Sequence, residues 1–166
     1  TNEIQYKITE FKETLSISTY LYALAAGEFT VFTNSCNPSY RIPMRVGYRK
    51  SMAKYQVVNE ILEVTMRCLN FYEDFFSTPF PYSKYDQVFV PEFGTGAMEN
   101  VGLVLFNESY IWKSKPSIRK TLRLAATNAH ELAHMWFGNL VTMKWWNDLW
   151  LNEAFATFIS YIALDQ

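Results

Sequence analysis

The run Asn128-Ala129-His130-Glu131-Leu132-Ala133-His134-Met135-Trp136 holds the only two histidines of the chain. They stand four residues apart, with a glutamate directly after the first. On a helix, residues i and i+4 share a face, with Cβ atoms ~5–6 Å apart. Both imidazoles can then ligate one Zn²⁺ at ~2.0–2.1 Å. Glu131, not itself a ligand, is positioned as general base toward the water that such an ion activates. Three ionisable side chains in one turn, flanked by Leu132, Ala133, Trp136 and Phe137, are costly to bury without a metal or partners. A third ligand is available in Glu153, which opens Glu153-Ala154-Phe155-Ala156 early in the next helical segment. Two antiparallel helices joined by a modest loop can bring it to the histidines. Two histidines, one carboxylate and an open fourth position describe a catalytic zinc site, whereas a structural one closes all four positions, usually with cysteine. Neither Cys36 nor Cys68 is near the motif, and their spacing specifies neither a zinc knuckle nor a disulfide framework. They read as a loop thiol and a half-buried helix thiol. Amide hydrolysis is the natural reaction class for such a centre.

The elements that must hold these residues can be read from periodicity. Thr19–Leu24 and Glu28–Phe32 alternate and are rich in β-branched and aromatic types, so they read as strands around Gly27. The turn-forming stretch Asn34–Ser39 is the best candidate for a domain boundary, and Ile42–Tyr48 reads as a further strand. Residues 53–76 carry Tyr55, Val58, Leu62, Met66, Leu69, Tyr72 and Phe76 at helical spacings, a core-facing stripe ended by Pro79 and Pro81. Val88–Val90 is a short apolar strand, broken by Gly94 and Gly96 and resumed at Gly102–Phe106. Pro116-Ser117 opens a helix that is expected to run to Phe137 and to end at Gly138. A connection through Asn139–Asp148 leads to a last helix from Leu149.

Composition narrows the function classes. The 166 residues carry a formal net charge of −1, with 49% hydrophobic and 17% aromatic side chains. That describes a globular chain with no basic stripe for nucleic acid. There is no signal peptide and no apolar run long enough to span a bilayer. The chain starts without methionine and stops at Asp165-Gln166 directly after an apolar helical pattern, so it is read as a fragment whose partners include the remainder of a longer polypeptide.

Three runs together resemble one family: Gly96-Ala97-Met98-Glu99-Asn100, then His130-Glu131-Leu132-Ala133-His134, then Trp145 through Ala156. They look like the aminopeptidase N family of zinc metallopeptidases, a gluzincin family. Eighteen residues separate His134 from Glu153, which matches that family's pattern. Gly138–Met143 matches too, and Ser18-Thr19-Tyr20-Leu21 with Gly27-Glu28-Phe29 resembles the end of the family's amino-terminal β domain. The resemblance implies an α+β fold: residues 1–34 end an all-β amino-terminal domain, and residues 35–166 form the first part of a thermolysin-like catalytic domain, truncated. It implies one zinc ion on His130, His134 and Glu153, with Glu131 as general base. It implies that Glu99 binds the free α-amine of a peptide substrate and that Gly96, Ala97 and Met98 contact the substrate backbone. Glycine permits such close approach, and an exposed strand edge can pair with an extended peptide.

The chain also departs from the family. Val101 stands where many members have tryptophan, Phe106-Asn107-Glu108 where many have Tyr-Arg-Glu, and Ser160 where many have a glutamate seven positions after the zinc glutamate. The last change touches the support of a zinc histidine. Val101, with Val90-Pro91-Glu92-Phe93 and His134–Gly138, is closer to a bacterial-type intracellular subgroup, which favours a cytoplasmic setting. The family's oxyanion tyrosine lies downstream of Gln166; Tyr161 reads as packing on the last helix. Trp145 and Trp146 read as packing beneath the zinc helices. Two other functions remain open on these residues: an endopeptidase, which has no need of Glu99, and a metal-binding adaptor that has lost activity.

Overall fold

The computed structural model describes residue 6 and residues 8–33, 41–55 and 57–166. Its centre is a mixed five-stranded sheet of β1 (Phe29–Thr33), β2 (Met44–Arg49), β3 (Tyr85–Val90), β4 (Ala97–Met98) and β5 (Leu103–Asn107). The spatial order is β1-β2-β3-β5-β4. β2, β3 and β5 run parallel, with Val46 beside Gln87 and Val88 beside Leu105. β1 and β4 pair antiparallel on the two edges, Val31 opposite Gly47 and Met98 opposite Leu105. Parallel neighbours need a long crossover; between β2 and β3 it is helix α1 (Val58–Phe76). Two further helices follow the sheet, α2 (Ile118–Ala133) and α3 (Leu149–Leu164), so the fold is α+β. No helix among the described residues is long and apolar enough to cross a membrane.

Burial explains the central strands. β3 is buried along almost its whole length, as a strand covered on both faces must be. Tyr48, Phe89 and Phe106, one from each parallel strand, stack in a row with centroid spacings of 5.1 and 5.1 Å. Pairs of this kind add ~0.5–1.5 kcal/mol each beyond their area. Asp86 is also buried on β3, held by Arg45 at 2.9 Å and Lys84 at 2.7 Å.

Helix α2 is fixed from below by buried polar groups. Gln87 donates to the Thr65 hydroxyl at 2.9 Å, and Asn128 donates to the Gln87 carbonyl at 2.6 Å. The Tyr72 hydroxyl donates to the Ala129 carbonyl at 2.8 Å. These bonds tie α1, β3 and α2 together one residue before His130. A buried network of satisfied polar groups specifies one arrangement, because any slip leaves a donor or acceptor unpaired.

Five expectations are corrected. Thr19–Leu24 is not a strand; Thr19–Leu21 forms a single 3₁₀ turn. Its Leu21 is buried while Tyr22 and Leu24 are exposed, and the Leu21 and Tyr22 carbonyls accept from Asn100 rather than from a neighbouring strand. α1 begins at Val58, behind a separate 3₁₀ turn at Ala53–Tyr55. α2 keeps its regular ladder only to Ala133, and His134–Phe137 continue as tighter turns. Gly138 does close the element, with φ 117°. The Asn139 amide reaches back to the His134 carbonyl at 3.0 Å, the long bond of a Schellman end. Finally, Trp145 and Trp146 are exposed rather than packed beneath the helices, Trp146 lying 5.2 Å from the Tyr20 ring. Cys68 is fully buried on α1, not half-buried. The candidate boundary at 34/35 and Cys36 lie outside the described residues, and β1, just before that boundary, hydrogen-bonds to β2, just after it.

Candidate metal centre

The carboxy-terminal end of α2 and the second turn of α3 meet at one point. His130 Nε2 and His134 Nε2 face each other at 2.9 Å. Glu153 Oε2 lies 3.4 Å from the first and 3.6 Å from the second. A tetrahedral zinc site with bonds of ~2.0–2.1 Å spaces its ligand atoms ~3.3 Å apart. The three observed separations bracket that value. Among the described residues this is the one group of three histidine, cysteine or acidic side chains with metal-ligand spacing.

Hydrogen bonding fixes which lone pairs point inward. His134 Nδ1 lies 2.9 Å from the Phe137 carbonyl oxygen. A carbonyl only accepts, so Nδ1 carries the hydrogen and Nε2 of the neutral ring is a bare electron pair. His130 turns its own Nε2 to the same point, and its Nδ1 lies 3.3 Å from the Thr157 hydroxyl. Two ring nitrogens and a carboxylate oxygen therefore converge, and electron pairs so close repel unless a cation sits among them. The adjoining His130 and His134 rings hold the Glu153 carboxyl well below the usual carboxylate range. Burial works against charge on His134, but Glu153, Glu99 and Glu131 outweigh it and push the ring up to about 9. The site attracts positive charge, and the donor set fits a divalent zinc ion.

Glu131 is on the same turn of α2 and is 5% exposed, and its Oε2 has no hydrogen-bond partner among the described residues. Burial, opposed by His134 and aided by Glu99 and Glu153, raises its pKa to about 8. A buried carboxylate oxygen without a partner costs free energy, and such a group beside a cation site is a candidate for proton transfer.

Glu99 approaches from the sheet side. It follows β4, is buried, and brings Oε1 to 4.0 Å from His134 Nδ1. That is too far for a hydrogen bond but within range of the ring's charge. Its backbone carbonyl accepts from Asn139 Nδ2 at 2.9 Å. Ala97 and Met98 form β4, the outer strand of the sheet on this side. Gly96 precedes them, and a Cβ there would stand 3.0 Å from the Tyr110 hydroxyl, so a larger residue would require the tyrosine to shift.

Several supporting residues lie within the quoted runs without a role read from them. Asn100 joins the Glu99 loop to the Leu21 carbonyl at 3.3 Å. Tyr20 lies close enough to Glu99 and Glu153 for their charges, after burial, to raise its phenol. Asn152, next to Glu153, packs at Gly138, where a Cβ would meet Asn152 Nδ2 at 3.3 Å and His134 Nδ1 at 3.3 Å.

The profile of the peptidase family M1 domain matches residues 60–166. Aminopeptidase N of Streptomyces lividans is 43% identical over 159 residues, covering 95% of this chain and 19% of that protein. Aminopeptidase M1-D of Oryza sativa subsp. japonica is 44% identical over 164 residues, covering 96% and 18%. Aminopeptidase N of Canis lupus familiaris is 42% identical over 167 residues, covering 99% and 17%. The chain thus spans about a fifth of the length of the curated relatives it matches.

Proposed function

The chain belongs to peptidase family M1, and from that premise we propose that it carries the central chemistry of a zinc-dependent aminopeptidase, which removes the amino-terminal residue from peptides. The observation that carries this is the convergence of His130 Nε2, His134 Nε2 and Glu153 Oε2 beside the unpartnered Oε2 of Glu131.

His130, His134 and Glu153 hold one zinc ion. When bound, the ion supplies a water of pKa ~7 and polarises the scissile carbonyl, the chemistry of amide hydrolysis. Glu131 is the general base: its free oxygen accepts a proton and later delivers it to the leaving amine. Its burial keeps that proton from exchanging freely with solvent. Glu99 pairs with the substrate's α-ammonium. A carboxylate buried to 6% exposure binds a cation far more strongly than a solvated one, and it sets the register so that cleavage falls after the first residue. The Gly96–Met98 edge offers backbone groups to an extended peptide. Residues 1–34 belong to the end of an amino-terminal domain and 35–166 to the first part of the catalytic one, although Phe29–Thr33 shares the catalytic sheet.

The test uses the whole protein that contains this chain. It should hydrolyse an aminoacyl anilide and lose that activity when the substrate amine is acetylated. Glu99→Ala should raise KM for the free-amine substrate. Equal rates on free and acetylated substrates would defeat the aminopeptidase reading in favour of an endopeptidase.

A further inference from the structure

We propose that Thr157 is the positioning residue for His130, and that its hydroxyl sets how tightly the metal centre is held. The inference rests on the zinc reading above and goes beyond its ligand set. With Nε2 of His130 turned to the site, the ring hydrogen sits on Nδ1, and the atom opposite is Thr157 Oγ1 at 3.3 Å. The hydroxyl accepts, the ring donates, and the tautomer that ligates metal is selected.

The two histidines are held unequally. The partner of His134 is a backbone carbonyl at 2.9 Å, and the ring is 1% exposed. The partner of His130 is a neutral, exposed hydroxyl at a longer distance, and that ring is 23% exposed. Water competes for the second bond and not for the first. Ser160 does not take part: it is buried, and its hydroxyl donates to the Thr157 carbonyl at 2.8 Å. Thr157 stands one turn after Glu153 on α3, so one helix supplies both a ligand and the tether of another ligand. Loss of zinc should therefore begin at His130, the loosely held arm.

The experiment measures zinc affinity and release rate of the whole protein by chelator competition, for wild type, T157V and T157S. T157V keeps the shape and removes the acceptor; it should bind zinc on the order of 10-fold more weakly and release it faster. T157S keeps the hydroxyl and should stay near wild type. Wild-type affinity in T157V would overturn the proposal. So would a loss in T157S as large as that in T157V, because T157S keeps the acceptor and the effect would then not follow the hydroxyl. A wild-type protein that takes up no zinc would defeat the zinc reading itself, and is separable from either result.

Discussion

The side-chain amide of Asn139 donates to the backbone carbonyl of Glu99 at 2.9 Å, across 40 positions of sequence. This bond joins the turn that ends the histidine helix to the loop that carries the amine-binding candidate. Asn139 is 3% exposed and its amide also lies 3.5 Å from Met135 Sδ, so the bond is made in a dry setting. Glu99 is thereby tied to the turn that follows His134.

Asn139→Ala should leave the Glu99 carbonyl buried without this donor, at a cost of ~1–3 kcal/mol. The expected outcome is a lower Tm and a higher KM for free-amine substrates, with zinc content unchanged. A variant with wild-type Tm and KM would show that the bond holds nothing in place.

Glu131→Gln removes the base and keeps the size and the metal ligands. Turnover should fall by ~10²–10⁴, the range for loss of a general base, while zinc remains at one ion per chain. If zinc left with the carboxylate, Glu131 would be a ligand; if turnover stayed high, it would not be the base.

The histidine pair was legible because i, i+4 spacing is a local property of a helix, and Glu153 because its distance along the chain matches a known pattern. What was not legible depends on partners distant in sequence. The alternation in Thr19–Leu24 is what a strand shows, yet Asn100 takes the carbonyls that a strand would have paired. The regular part of α2 stops at Ala133 because the carbonyls of its final turns are used by the loop: Asn139 bonds back to His134 and Val141 to Trp136. Asn139 and Thr157 are polar residues in a turn and on a helix, and residue type alone does not say what they bond. Trp145 and Trp146 read as packing from hydrophobicity, but large aromatics are often left partly exposed.

Cys68 gives a pH prediction that is independent of the site. Burial on α1 pushes its thiol up to about 11 from 9.0. The folded state therefore disfavours the thiolate. Its contribution to stability is complete below the unfolded value of 9.0 and is lost as pH rises toward about 11. Since the thiolate is the nucleophile, iodoacetamide should alkylate Cys68 far more slowly in the native protein than in urea, as read from the Cys68 peptide by mass spectrometry. Equal rates would mean that α1 opens readily in the native state.

The central claim is that His130, His134 and Glu153 share one zinc ion with a fourth position left open. Anomalous diffraction from crystals of the whole protein, recorded on both sides of the zinc edge, tests it most directly. The account predicts a single peak ~2.0–2.1 Å from His130 Nε2, His134 Nε2 and a Glu153 oxygen, with no fourth protein ligand. A peak elsewhere, or one whose fourth position is closed by a protein side chain, would contradict it.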